Sequence, residues 1–259
     1  MATFETANKA RVIYVFTIPD KRHQGCVKIG EATIQEEGDG IFTANSDLLN
    51  KAARKRIDEY TKTAGVDYEL LHTENTLCLR GGKWGSFNDN AVHEVLRRSG
   101  VKQKALNGSR EWFECDLATA IKAIKAAKAG ETNLHPSEVS HDQNPIVLRP
   151  EQKDAVARTC KQLRKGNRML WNAKMRFGKT LCALQVALEM NMQRTIIVTH
   201  RPVVDASWAD DFRKIFYKHP HWSYGSSLIG YRFDELRKKA EQGEHVVYFA
   251  SMQDMRGSK

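Results

Sequence analysis

Eight residues, AKMRFGKT from Ala173 to Thr180, end in a Gly-Lys-Thr triplet. A loop of this type serves phosphate chemistry: backbone N–H groups turn toward phosphate oxygens, a lysine neutralises them, and a hydroxyl ligates a divalent ion. Gly178, Lys179 and Thr180 supply those parts, with Lys179 reaching the β and γ phosphates and Thr180 the magnesium ion. The apolar run RMLWNA (168–173) before it and the helical pattern LCALQVALEM (181–190) after it give the strand-to-helix setting that the chemistry needs.

A second set is scattered over the first half of the chain: Tyr14, Lys28, Arg56, Asp89, His93 and Glu111. Hydrolysis of a phosphodiester requires a metal-binding carboxylate, a cation for the developing charge and a group that handles the attacking water. All three residue types are present. Asp89 and His93 are four apart, so they share one helical face. Taken singly, each has an ordinary structural reading as well. Tyr14 is a strand aromatic, Lys28 and Arg56 are solvated charges, Asp89 favours a helix N-terminus, His93 is a satisfied buried histidine, and Glu111 covers an apolar strand. The segment RGGKWGS (80–86) adds Lys83 and Trp84 in a glycine-rich loop, suited to phosphate contact and base stacking or to plain surface exposure.

The elements that must position these residues fall into two sets. In the first half, RVIYVFTI (11–18), CVKIG (26–30), VDYELLHTE (66–74) and EWFECD (111–116) read as extended chain. Between them, DLLNKAARKRIDEY (47–60) places Leu49, Ala53, Ile57 and Tyr60 on one helical stripe, with Ser46 as N-cap, and NDNAVHEVLRR (88–98) forms a short helix. An alanine-rich helix follows, opened by Asp116 and closed by Gly130. In the second half, a helix at 150–165 precedes strands at 168–173, 194–199 and 245–251, alternating with helices at 181–190, 203–216 and 232–241. That order predicts a parallel α/β sheet. The fold expected is therefore α/β and α+β: a small mixed sheet with helices over 1–130, a linker at 131–145, and a partial parallel α/β lobe over 146–259.

Bulk properties agree with a folded, two-unit chain. Its 259 residues are 41% hydrophobic and 28% charged, which excludes a fibre or wholesale disorder. No run approaches the roughly 20 apolar residues of a membrane span, and no secretory signal opens the chain, so the expected location is cytoplasmic. The five cysteines are odd in number and form no CxxC pair, which points to reduced, buried thiols. The net charge of +10 is unevenly placed: residues 1–145 hold 20 basic and 20 acidic side chains, whereas 146–259 hold 21 and 11. The second half is thus the one suited to a polyanion.

The AKMRFGKT loop resembles that of the superfamily 2 helicases and translocases, particularly motors attached to restriction systems. LRPEQKDAV (148–156) is similar to the family's leader helix, with Gln152 at the adenine-contacting glutamine. VTHRPVVDASWADDF (198–212) resembles motif Ia, which implies backbone phosphate contacts for Thr199, His200 and Arg201, and FASMQDM (249–255) resembles a segment on the same nucleic-acid track. Ala173 and Arg176 stand where the pattern has glycines, and Arg176 joins the nucleotide-binding set. The resemblance ends before the family's DEAH-type acidic motif and second RecA-like lobe. It implies ATP with Mg2+ as ligand, binding without turnover, and a chain that is the N-terminal piece of a longer protein.

The first half resembles the GIY-YIG endonucleases, in a phage- and helicase-associated branch. VIY (12–14) matches the first signature with Tyr14, KIG (28–30) the second with Lys28 in place of tyrosine, and Arg56 the arginine of the following helix. In FNDNAVHEVLRRSG and REWFEC, Asp89 replaces the usual glutamate as ligand of Mg2+ or Mn2+, with help from Glu111, and His93 completes the site. The implied function is a metal-dependent DNA endonuclease coupled to an ATP-driven motor in a restriction, anti-phage or repair system. Its implied partners are duplex DNA and ATP, in a homodimer or larger restriction complex. The alternatives are a non-catalytic DNA-binding module that recruits the motor, and an NTP-binding regulatory protein in which the first constellation is coincidence.

Overall fold

A computed structural model describes residues 10–34, 42–62, 65–106, 108–139 and 146–256. The first nine residues, Asn107 and positions 140–145 of the expected linker lie outside them. The chain forms two units, the first running to Leu134 and the second taking in His135–Ser137 and the carboxy-terminal residues.

The first unit is organised by β1 (Arg11–Thr17), whose side chains are buried on both faces because valine, isoleucine and aromatics alternate without a polar interruption. It pairs antiparallel with β2 (Val27–Thr33) on one side and β3 (Glu69–Asn75) on the other. Two more strands, β6 (Gln103–Leu106) and β7 (Ser109–Phe113), complete a five-stranded sheet ordered β3-β1-β2-β7-β6. Val12, Tyr14 and Phe16 face α1 (Asp47–Thr61), which buries Leu49, Ala53 and Ile57 against them. Ile13 and Val15 face the other way, toward Val92, Val95 and Leu96 of α2 (Asp89–Arg98) and Ala120, Ala123 and Ile124 of α3 (Leu117–Ala129). Asp116 caps α3, its carboxylate accepting from the Thr119 N–H at 2.8 Å, and Gly130 ends it in the left-handed region. Ser46 occupies the N-cap position of α1, but its hydroxyl makes no capping bond.

Between β3 and α2 the chain forms a separate hairpin, β4 (Leu77–Arg80) and β5 (Lys83–Ser86), where the sequence reading expected a loop. Gly81 and Gly82 both have positive φ, so a two-residue turn matches the strand twist. Leu134 and Val139, in the stretch read as a linker, are buried in the first unit's core.

The second unit opens with α4 (Pro150–Leu163) and α5 (Lys179–Glu189). Strands β8 (Arg194–Thr199), β9 (Trp222–Gly225) and β10 (His245–Ser251) form a wholly parallel sheet ordered β8-β10-β9. α6 (Asp205–Phe216) packs on it through Phe212 and Phe216, and α7 (Phe233–Glu241) and α8 (Met252–Arg256) complete the unit. A parallel sheet with intervening helices is what a partial RecA-like lobe requires. Two elements depart from expectation: β9 was not read in the sequence, and 168–173 forms no strand, Leu170 being 90% exposed. A strand exists only where a neighbour completes its ladder, and among the described residues none runs beside this segment.

Candidate functional site

The first unit gathers its candidate residues where β2 parts from β7. β1 and β2 pair over six registers, whereas β7 meets β2 only at Val27 and Lys28. Beyond that point the outer edge of β2 is open to other partners. On the α1 face, Tyr14 lies directly across from Gly30. A Cβ at Gly30 would fall 2.6 Å from the Tyr14 hydroxyl oxygen and 2.8 Å from Cζ, so the absence of a side chain is what lets the phenol lie flat there. The Tyr14 hydroxyl is 3.5 Å from that of Tyr60, and Lys28 Nζ sits 4.5 Å from the centroid of the Tyr60 ring. Lys28 also pairs with Glu111 at 3.3 Å.

Burial raises the Tyr14 pKa above its ordinary value of 10.0, against the Tyr60 hydrogen bond, which lowers it; Glu111, Arg56 and Asp89 all act on it electrostatically. At neutral pH the phenol is therefore protonated and donates rather than abstracts. Burial likewise raises the Tyr60 pKa. Arg56 is half exposed and ion-paired with Glu59 at 2.6 Å, a contact that raises its pKa. Tyr14, Lys28, Arg56, Glu111 and Asp89 thus share one neighbourhood. Tyr60 belongs to it as well and was read in the sequence only as part of the apolar stripe; its spacing of four from Arg56 is the signal that puts both on one face of α1.

His93 does something different. It is 6% exposed, and its Nε2 lies 2.9 Å from the Ile29 carbonyl on the open edge of β2, which makes that nitrogen the donor. The bond ties α2 to the strand one turn from Asp89, itself set in the first helical turn behind the Asn88 N-cap. Lys83 and Trp84 stand exposed on the hairpin, Trp84 at 62%. Among the described residues, no group of three His, Cys, Asp or Glu side chains gathers in a metal-binding arrangement.

In the second unit a short loop leads from Ala173 into α5. Gly178 is left-handed and immediately precedes the helix, so the N-terminal N–H groups of α5 open onto the loop. Arg176 also has positive φ, a strained position for a residue with a Cβ. Lys179 Nζ donates to the carbonyls of Lys174 at 2.9 Å and Ala173 at 3.4 Å. Gln152 is buried and bridges two elements: its carbonyl accepts from the Arg149 N–H at 2.8 Å, and its amide donates to the Phe177 carbonyl at 2.6 Å. Arg149 reaches the same carbonyl at 2.8 Å. A Cβ at Gly178 would press on the Gln152 amide and disturb its bond to Phe177, and the positive φ favours glycine there as well. Thr180 is half-buried in the first turn of α5. Thr199, His200 and Arg201 follow one another at the carboxyl end of β8, the last two exposed, with the Thr199 hydroxyl donating to the Arg201 carbonyl at 3.1 Å.

Residues 145–259 match the family of the type III restriction enzyme res subunit. That family is helicase-like, which supports the superfamily 2 reading of the second unit. The match does not extend to the first unit. No curated protein and no solved structure matches the chain. No helix of the described residues is long and apolar enough to cross a membrane.

Proposed function

We propose that the chain joins a metal-dependent DNA-cutting unit of GIY-YIG type to an ATP-binding segment of a restriction-type motor. The observation that carries the first part is the contact of Tyr14 with Gly30 and Tyr60 and of Lys28 with Tyr60 and Glu111, with Arg56 and Asp89 in electrostatic range of Tyr14. Asp89 and Glu111 are hard oxygen donors, and magnesium or manganese takes one or two such carboxylates together with water and substrate phosphate. When bound, the ion would polarise the phosphoryl oxygen and acidify its water. The chain's own residues do the rest. Arg56 meets the charge that develops on phosphorus, Tyr14 donates a hydrogen bond that orients the incoming water, Lys28 holds Glu111, and His93 positions Asp89 through its bond to β2.

In the second unit, Lys179, Thr180 and the N–H groups of α5 would hold the phosphates and magnesium of ATP. Nucleotide then has to draw Lys179 off the carbonyls of Ala173 and Lys174. Thr199, His200 and Arg201 contact a nucleic-acid backbone.

A nicking assay on supercoiled plasmid tests the cutting role. With magnesium or manganese the chain relaxes plasmid, and Asp89→Ala or Arg56→Ala lowers the rate by at least about a hundredfold, the scale of removing one transition-state donor. Intact plasmid in both metals, with DNA binding retained, gives the role to a non-catalytic recruiting module instead.

A further inference from the structure

The β4–β5 hairpin forms a two-stranded sheet of its own beside the first unit's main sheet. Leu79 and Trp84 are cross-strand partners on it and are 58% and 62% exposed. The pairing steadies the hairpin, yet more than half of each side chain stays open to solvent, which leaves the indole available to a ligand. The turn end of the hairpin, where Arg80 faces Lys83, is fixed in place. Arg80 donates through Nε to the Lys128 carbonyl at 2.9 Å and through a terminal nitrogen to that of Ala127, at the C-terminal end of α3. These acceptors are neutral and leave the guanidinium charge intact.

Beside the hairpin lies a groove of about 520 Å³ that Arg11, Leu77, Arg80, Ser86, Asn88 and Ala91 help to line. No aspartate or glutamate is among its lining residues, although Glu31 meets Arg11 at 2.7 Å. From Thr76 to Asn88 the chain carries Arg80 and Lys83 and no carboxylate. Cations, an exposed indole and an acid-free groove fit a polyanion that presents a flat apolar face, which is a nucleic-acid strand with an unstacked base. A stacked duplex offers its base edges, and those do not cover an indole.

We propose that the β4–β5 hairpin holds an unpaired nucleotide beside the candidate cutting site, stacking its base on Trp84 next to Leu79 and seating its phosphates on Lys83 and in the Arg11–Arg80 groove. The proposal rests on the nuclease reading for its class of substrate, but its test does not depend on cutting. The 259-residue chain, held in EDTA, is irradiated with a single-stranded DNA oligonucleotide carrying 5-iodouracil and digested with trypsin. The cross-link is expected on the peptide 84–97, lost in Trp84→Ala and kept in Trp84→Phe. In the same buffer Trp84→Ala weakens binding of the oligonucleotide about tenfold and leaves a blunt duplex nearly unaffected. Cross-links only on other peptides, or wild-type affinity of Trp84→Ala for single strands, overturn the proposal. So does an equal loss on single strand and duplex that phenylalanine does not restore. Plasmid nicking run in parallel separates the two readings. A Trp84 cross-link in a chain that cuts nothing removes the nuclease and keeps the hairpin, whereas nicking without the cross-link does the reverse.

Discussion

Gly30 shows how one missing side chain sets the chemistry of its neighbours. The Tyr14 ring lies where a Cβ would be, pressed between β2 and the Tyr60 hydroxyl. Because Tyr14 is buried from ring to hydroxyl, it has no room to swing aside as an exposed side-chain tip would. Gly30→Ala is therefore expected to lower stability by about 1–3 kcal/mol, the usual consequence of overpacking. It should reduce nicking more than that loss explains, because the phenol is displaced from its place beside Glu111 and Arg56. Thermal melting and plasmid relaxation, compared at a temperature where the variant stays folded, check both outcomes. A variant that folds and nicks like wild type would remove Tyr14 from the site. Tyr60 teaches a related lesson. Its place in the apolar stripe of α1 was legible, but a residue that is core at its ring and chemistry at its hydroxyl looks like core alone until the strand opposite is known.

At the scale of elements, legibility followed how local the determinants were. β1 and β2 are runs of β-branched and aromatic residues, and α3 is flanked by its own start and stop signals, Asp116 and Gly130, so each was readable from a short window. The hairpin at 77–86 was not, because its second strand, KWGS, has no apolar alternation and is exposed throughout. RMLWNA failed in the opposite direction. Its composition suits a strand, yet strand formation depends on a ladder partner that composition cannot supply. The α3 caps allow a quantitative check of a local determinant. Asp116→Ala removes the acceptor of the Thr119 N–H and should destabilise the first unit by about 1 kcal/mol. Asp116→Asn should lose much less, since its carbonyl oxygen still accepts. Chemical denaturation of the three proteins reads the difference, and an Asp116→Ala protein as stable as wild type would show that packing alone holds the helix start.

Over the whole molecule, the two units differ in charge before they differ in anything else. The first half is balanced, and the entire excess of ten positive charges lies in residues 146–259. A parallel sheet brings loop residues together at the carboxyl ends of its strands. That is where His200 and Arg201 stand exposed after β8, opposite the end of β10 in the ladder that pairs Thr199 with Ser251. If these residues contact phosphates, binding must release counterions, and the logarithm of affinity must fall linearly with the logarithm of salt concentration. Each phosphate contact removed should then lower the slope by about 0.9 for duplex DNA. Arg201→Gln is expected to lose about that much slope, and Arg201→Lys to keep it. Lys179→Ala, whose ammonium is engaged on the nucleotide loop, should leave the slope unchanged while abolishing nucleotide binding. Fluorescence anisotropy across a salt series measures all three. An unchanged slope in Arg201→Gln would take the carboxyl end of β8 off the nucleic-acid track, and a reduced slope in Lys179→Ala would mean that the nucleotide loop and the DNA compete for the same positive charge.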